Sequence, residues 1–318
     1  MNFITLANEY GKTQTPFFFL IDFEMKKPFI CKLSDIDANN IHFSINHSHS
    51  ISSKGMLSEK MKISAFPIEK YREAFDVVIQ NINHGNSYLL NLTFPSKIQI
   101  PLSLKDIYHR SRERYKLLFK DEFTLFSPET FVRTKDGFIY SYPMKGTIDA
   151  ALPEAREKIL NNKKELWEHN TIVDLIRNDL SIVAHNIEIT RYRFITKIHT
   201  NNKNLLQVSS EIKGKLDDNW QSEIGNILFK LLPAGSISGA PKQKTIEIIK
   251  EAESGDRGYF TGVFGVFDGE NLDSAVNIRF IEKINGDLIF RSGGGITANS
   301  NMNEEYQELI NKIYVPFS

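Results

Sequence analysis

Along most of the chain, apolar residues fall into short runs broken by turn residues, and a helical period shows in only a few segments. Residues 16–49 alternate brief apolar stretches with turn residues, the pattern of antiparallel strands. The fully apolar run from Pro16 to Ile21 is strand-sized, too short for a signal or membrane-spanning segment. The polar stretch 50–61 predicts a loop. Tyr71, Phe75, Val78 and Ile82 recur at helical spacing and predict a helix over 68–82, stopped at His84 and Gly85 and followed by a strand over 88–94. A helix over 103–119 and a strand over 123–126 come next. An alternating aromatic run over 138–142 predicts a strand that Pro143 ends. Two helices, 153–160 and 164–183, flank Asn161 and Asn162, and strands then run to about residue 212. A helix over 220–232, an interruption over 233–242 and a helix over 243–252 precede three strands over 262–291, with turns at Asp268–Gly269 and Asn285–Gly286. A helix over 304–313 closes the pattern. The strands are not separated by one helix each, which argues against a parallel βαβ sheet and for an antiparallel-rich α+β fold.

Composition narrows the function classes. A chain of 318 residues can bury one large core or two ordinary ones. Its 39 Lys and Arg balance 39 Asp and Glu, so no basic field favours nucleic acid or a membrane surface. The first fourteen residues lack a cationic segment leading into an apolar one. Cys31 stands alone, which excludes a disulfide scaffold and cysteine-based metal sites and points to a reducing, cytoplasmic setting.

Strand formation does not call for the lysine that follows Pro143, nor for the Gly146 and Thr147 after it. An amine held at a strand end in a partly dry pocket can have its pKa lowered until the free base is a nucleophile; the alternative is a loop lysine in water. Glu165 and Glu168 lie three apart on one predicted helix face, beside His169, with Asp174, Arg177 and Asn178 two turns on. Glu305, Glu308 and Lys312 form a similar group on the last helix. Two such carboxylate pairs can share one Mg²⁺, or can be ordinary solvated faces. The Gly235–Ser236 pair and the run Gly293, Gly294, Gly295 predict turns able to aim N–H groups at an anion, and neither is a P-loop. Arg279, read as mid-strand in AVNIRF over 275–280, is either an edge charge or a fork for a carboxylate. Glu129, after Ser127 and Pro128, is a turn carboxylate or, if burial raises its pKa, a general acid. His199 has no catalytic partner at a recognisable spacing and reads as structural. Together these features suit a small, doubly anionic substrate.

Six motifs, in order, resemble those of the chorismate-utilising enzymes, the family of anthranilate synthase, aminodeoxychorismate synthase component I, and isochorismate and salicylate synthases. They are SPE at 127–129, PMKGT at 143–147, KELWEH at 164–169 with IVDLIRNDL at 172–180, PAGSISGAPK at 233–242, AVNIR at 275–279, and GGGI at 293–296 with Glu305, Glu308 and Lys312. The likeness runs from about residue 68 to residue 312. It implies a two-lobed α+β fold, antiparallel sheets sandwiched with helices outside, in one chorismate-binding domain over 1–318. Residues 1–67 would be a shortened N-terminal strand region, without the regulatory tryptophan site of some relatives, and 68–318 the catalytic core. The resemblance also implies roles. Glu168 and Glu308 would hold Mg²⁺ against the ring carboxylate of chorismate, with Glu305 and Glu165 close to the metal and the chemistry. Gly146, Thr147 and Ser236 would contact that carboxylate. Arg279 and the backbone at Gly294 and Gly295 would take the enolpyruvyl carboxylate, with Lys312 adding positive charge. Glu129 would protonate the departing C4 hydroxyl.

Within that family a lysine at the position of Lys145 marks aminodeoxychorismate synthase component I, in which the amine adds at C2 and ammonia then displaces it at C4. The product, 4-amino-4-deoxychorismate, leads to 4-aminobenzoate and folate, and the ammonia comes from a separate glutamine amidotransferase subunit. Anthranilate synthase component I is the alternative, and a non-catalytic chorismate-binding subunit a more distant one. Leu89 stands where isochorismate and salicylate synthases resemble this chain but carry a lysine base, which argues against water as the nucleophile. The sequence departs from the family pattern at Gln207 (usually His), Phe260 (usually Tyr) and Asn299 (usually Asp).

Overall fold

The computed structural model describes residues 2–45, 61–199, 204–253 and 255–317. The loop predicted over 50–61 lies, Met61 apart, outside the described residues, as does the side chain of His199. Two antiparallel sheets organise the chain into an α+β fold. The nine-stranded sheet runs from Met144–Asp149 through Asn204–Lys215, Phe138–Ser141, Thr130–Lys135, Leu272–Val276, Val263–Phe267 and Phe17–Ile21 to Phe29–Lys32, with His185–His199 also paired to Asn204–Lys215. The eight-stranded sheet runs from Gly239–Ala240 through Leu89–Gln99, Asp287–Ile296, Phe280–Ile284, Phe123–Ser127 and Tyr115–Phe119 to Ile41–Ile45, with Lys62–Ser64 added along Leu89–Gln99.

The strand Phe17–Ile21 explains how the layers stack. All five side chains are buried, because both faces of the strand are covered. Phe17, Phe19 and Ile21 pack with the helices Phe3–Lys12 and Ile224–Leu231. Phe18 and Leu20 point the other way, onto Tyr115, Leu117, Phe119 and Leu125 of the second sheet. Each of these side chains contributes about 1.5–3 kcal/mol on burial. The helix Leu104–Arg110 closes the outer face of the second sheet over Leu118, Phe126, Ile281 and Phe290. Helices thus lie outside two facing sheets.

Some predicted elements differ. The helix Phe3–Lys12 is absent from the reading above because its buried positions are Phe3, Ala7 and Gly11, the last two with little apolar signal. Its N-cap Asn2 accepts from the Thr5 amide at 2.9 Å, and Asn8 accepts from the Gly225 amide at 2.7 Å, tying it to the following layer. The helix predicted over 103–119 is a capping-box helix, Leu104–Arg110, followed by the strand Tyr115–Phe119. Pairing on both edges, to Ile41–Ile45 and Phe123–Ser127, makes YKLLF a strand whatever its helical spacing. The strand after Ser87 runs through Pro95 to Gln99; on one edge Pro95 lies between the short partners Gly239–Ala240 and Lys62–Ser64, where no ladder donor is needed. Asn285 and Gly286 both have positive φ (51° and 88°) in a two-residue hairpin between Ile284 and Asp287, as their sequence predicts.

Candidate active site

The two sheets exchange strands at two crossovers. Ser127 pairs with Tyr115 in the eight-stranded sheet, whereas Thr130 pairs with Ala275 in the nine-stranded one, so Pro128 and Glu129 span the seam. Val276 pairs with Val263 in the nine-stranded sheet, and Phe280 with Leu125 in the other, so Asn277, Ile278 and Arg279 span it in the opposite direction. The crossovers interlock: the Val276 amide donates to the Glu129 carbonyl at 3.1 Å, and the Phe126 amide to the Arg279 carbonyl at 3.2 Å. Arg279 is therefore not mid-strand but in a connection, with a left-handed backbone (φ 52°). A crossover between sheets has no period, so the alternation of AVNIRF misleads.

Pro143 interrupts its strand without ending the pairing. Ser141 and Met144 both pair with Asn204–Lys215, opposite Ile212 and Ser209, and the Ser210 amide donates to the Pro143 carbonyl at 3.0 Å. From Met144 to Thr147 the strand advances three residues while its partner moves two, from Ser209 to Gln207. Lys145 and Gly146 occupy this β-bulge, a device that re-aims a side chain. The Lys145 Nζ lies 2.8 Å from Glu168 Oε2, across on the helix Lys163–Ser181. A Cβ on Gly146 would stand 2.9 Å from Glu165 Oε2, so the glycine, at φ +86°, is what lets this helix approach the strand. Thr147 is exposed, opposite Gln207.

Gly293, Gly294 and Gly295 lie in the strand Asp287–Ile296 rather than in a turn, opposite Thr93, Leu92 and Asn91. Pairing to Phe280–Ile284 stops at Arg291, which leaves the other edge open at the glycines. The Gly293 carbonyl uses that edge to accept from Lys312 Nζ at 2.8 Å, and by ladder parity the Gly295 N–H points to the same edge. A Cβ on Gly294 would lie 3.4 Å from Glu308 Oε1 and 3.5 Å from Glu305 Oε2; one on Gly295 would lie 3.1 Å from Leu89 Cδ1 and 3.7 Å from Lys145 Nζ. The missing side chains leave room for both carboxylates and the lysine. Leu89 itself lines this position.

Carboxylates and ammonium groups are interleaved. Lys312 Nζ contacts Glu308 Oε1 at 2.6 Å. Glu305, buried, accepts from Ser300 at 2.8 Å. Glu165 Oε2 is buried without a partner. Burial, followed by the neighbouring Glu168, raises the Glu165 pKa, and burial raises that of Glu305. Burial also works against the charge on Glu308, but Lys312 overrides it and lowers the pKa. Burial opposes the charge on Lys145 too; Glu168, then Glu308 and Glu165, more than offset it and hold the ammonium above the ordinary lysine value. The expectation of a lowered lysine pKa therefore fails, because the carboxylates around the amine outweigh its burial. Lys312, by contrast, is lowered, chiefly by burial.

On the seam, burial raises the Glu129 pKa although Ser236, Lys312, Arg279 and Lys145 all act to lower it. Ser236, in the short helix Gly235–Ser238 rather than a bare turn, donates its hydroxyl to Glu129 Oε1. A protonated carboxyl held by a hydroxyl is suited to general-acid work. A pocket lined by Glu129, Tyr142, Ile176, Asp179 and Ser236 opens beside it. Asp179 receives Lys242 Nζ at 2.9 Å and presses within 2.7 Å of where a Gly235 side chain would begin.

One element escaped the sequence reading. Arg257, 2% exposed, donates to Glu253 through Nε (2.8 Å) and Nη2 (2.6 Å), to the Ile237 carbonyl through Nη1 (2.9 Å) and to the Asn91 carbonyl through Nη2 (2.6 Å). Glu253 also accepts from the amide and hydroxyl of Thr93 at 2.8 and 3.0 Å. This buried fork ties the Ser236 segment to the strand facing the glycines. A buried Glu-Arg pair at i,i+4 reads in sequence as an exposed helix pair.

Among the described residues no group of three or more His, Cys, Asp or Glu converges as a metal site by itself. Mg²⁺ needs only one or two carboxylates, with water and substrate oxygens completing its shell. The unpartnered, buried Glu165 oxygen and the carboxylates beside Gly146 and Gly294 are compatible with such an ion, which Glu168 and Glu308 would hold with Glu305 and Glu165 beside it.

Comparison with known proteins agrees with this geometry. The chorismate binding enzyme family model matches residues 14–318. The chain is 52% identical to an uncharacterized PabA-like protein of Pasteurella multocida over 317 residues, 99% of this chain and 98% of that protein. It is 30% identical to aminodeoxychorismate synthase component 1 of Escherichia coli over 262 residues, 77% of this chain and 56% of that one. Its fold matches the crystal structure of anthranilate synthase component I from Streptococcus pneumoniae with a TM-score of 0.67 and 25% identity, covering 80% of this chain and 58% of that one. No helix among the described residues is long and apolar enough to cross a membrane. With its acid, arginine and lysine brought to one seam between two antiparallel sheets, and with the family model matched over nearly its whole length, the chain belongs to the chorismate binding enzymes.

Proposed function

We propose that the chain is an aminodeoxychorismate synthase component I, which converts chorismate and ammonia to 4-amino-4-deoxychorismate on the way to 4-aminobenzoate and folate. Lys145 carries this reading: a bulge aims its amine into the substrate cleft, beside Gly295 and opposite Glu168. The 30% identity to the Escherichia coli enzyme of that name supports it. Arg279 and the Gly295 N–H take the enolpyruvyl carboxylate, with Lys312 adding charge. The ring carboxylate lies towards Gly146 and Thr147. Glu168 and Glu308 would hold Mg²⁺, which would supply positive charge for the ring carboxylate. Ser236 holds Glu129 in place as its proton is spent.

Lys145 must lose a proton before it attacks, and Glu165, with a raised pKa and a free oxygen, is the acceptor. The amine forms a bond to C2 as both conjugated ring double bonds shift by one position and the C4 C–O bond breaks, Glu129 giving its proton so that water leaves. Ammonia then forms a bond to C4, both double bonds shift back and the C2–Nζ bond breaks, returning the neutral lysine amine and leaving the new C4 nitrogen as an ammonium that can return a proton to Glu129. Tethering makes the first displacement effectively unimolecular. The ammonia comes from a glutamine amidotransferase subunit in a cytoplasmic complex.

The test uses purified protein with chorismate, Mg²⁺ and ammonium at mildly alkaline pH, with and without an aminodeoxychorismate lyase. 4-Aminobenzoate that depends on the lyase is the expected product. Anthranilate formed without the lyase would assign ortho chemistry and overturn the reading.

A further inference from the structure

Where the family pattern has a tyrosine, this chain has Phe260. Its ring is sunk in the core, 5.9 Å from Phe280, and brings no hydroxyl to the arginine end of the site. Arg279 is nevertheless unusually placed. Its backbone is left-handed, its Nε is buried without a partner, and Nη1 makes only a 3.5 Å contact with the Lys312 carbonyl. An arginine with so few bonds would sample several rotamers. Glu113, a buried carboxyl, feels the guanidinium charge, and the Tyr314 ring packs on the guanidinium with its centroid 4.8 Å from the central carbon.

Tyr314 belongs to the segment after the last helix, and that segment is pinned on both sides of it. Ile313 is buried against Leu104, Ile107 and Tyr108. Beyond Tyr314, the Pro316 carbonyl accepts from the Arg112 amide at 2.8 Å, and Phe317 bridges to Ser111. Nothing in the core requires an aromatic residue at 314, which is 44% exposed. Lys312, two residues earlier, reaches the Gly293 carbonyl on the open strand edge. One short segment thus supplies both the ammonium at the glycine edge and the aromatic back of the arginine.

We propose that Tyr314 is a positioning residue: its ring is the platform that fixes the Arg279 guanidinium so that its free N–H groups face an incoming carboxylate at the Gly293–Gly295 edge. The ring replaces in part the ordering that the absent hydroxyl at Phe260 would supply. The carboxylate's identity rests on the function proposed above; the platform does not.

The experiment therefore has two arms, both on the full chain. In the first, ligand-free protein is treated with an arginine-selective dicarbonyl, and modification of the Arg279 peptide is followed by mass spectrometry. Tyr314→Ala speeds modification at least about threefold, and Tyr314→Phe, which keeps the ring, restores the slow rate. In the second, Tyr314→Ala raises KM for chorismate about fivefold with kcat changed less than about twofold, the size of one partly exposed cation–π contact. Equal modification rates in wild type and Tyr314→Ala overturn the platform. An unchanged KM overturns its part in carboxylate recognition. A wild-type protein that neither binds nor turns over chorismate overturns the proposed function, while the first arm still decides the platform.

Discussion

Replacing Gly146 by alanine puts the bulge under direct test. At φ +86° an L-residue costs about 1–2 kcal/mol. The new methyl would also lie 2.9 Å from Oε2, 3.3 Å from Cδ and 3.6 Å from Cγ of Glu165. That carboxyl ends a flexible side chain, so it swings away at a rotamer cost of about 1 kcal/mol. The sum, about 2–3 kcal/mol, corresponds in a chain of 318 residues to a fall in Tm of about 3–4.5 °C by circular dichroism. In a Glu165→Ala background the contact is gone and only the backbone cost remains, so the second fall is smaller by about 1 kcal/mol of coupling. Activity drops far more than stability in the single variant, about 100-fold, because the amine of Lys145 and its proton acceptor both move. Equal Tm losses in the two backgrounds would refute the contact. No loss in either would refute the bulge.

Lys145→Ala abolishes lyase-dependent 4-aminobenzoate while leaving the melting curve two-state; retained para product would remove the covalent step. Glu308→Gln raises the Mg²⁺ concentration giving half-maximal activity and weakens chorismate binding with it, whereas an unchanged titration takes Glu308 out of the metal site. Burial holds the Glu129 pKa above its ordinary value of about 4.3, so the folded chain binds more protons than the unfolded one across that window and stability falls as pH rises through it. In Glu129→Gln the loss of Tm as pH rises above that ordinary value is accordingly smaller; superimposable pH profiles would show that Glu129 titrates normally. Glu253→Gln strips the counter-ion from a fully buried Arg257 and costs about 3–5 kcal/mol by urea unfolding, and a loss under about 1 kcal/mol would mean that its carbonyl partners suffice.

Much of this was readable from residue order because the elements that hold the site are locally determined. The helix over 68–82 has a clean apolar stripe, and the structure has Ile68–Asn83. Glu165 and Glu168, like Glu305 and Glu308, share a helix face through spacing alone, and carboxylates of both helices act on the Lys145 ammonium. The rest depends on tertiary events that leave no period. Arg279 and Glu129 are on sheet-to-sheet crossovers, which read as strand interior or as a turn. The three glycines resemble a turn in sequence, yet their purpose is a flat strand edge under two carboxylates. The sign of the Lys145 shift could not be read either, since it depends on how many carboxylates converge on a dry pocket, and those carboxylates come from two helices far apart in the chain.

The crossovers also explain why the acid and the arginine are coupled. Each carries a residue whose backbone is bonded to the other crossover, the Val276 amide to Glu129 and the Phe126 amide to Arg279, so neither can shift without straining its neighbour. Lys312 extends the same frame, with its carbonyl towards Arg279 and its ammonium between Glu308 and the Gly293 carbonyl. Backbone hydrogen bonds thus fix the main chain of Glu129 and Arg279 relative to each other, while side-chain contacts bring the Lys312 ammonium and the Arg279 guanidinium to the same place. Lys145 comes from elsewhere, on a bulge in the nine-stranded sheet, and its place depends on a single glycine and on the helix that the glycine admits. A chain arranged in this way can exchange its lysine without breaking the backbone bonds of the seam, although the charge of Lys145 is felt by Glu129 and Lys312. On the function proposed above, that separation would let one residue on a bulge set the nucleophile while the frame at the seam keeps its own backbone bonds.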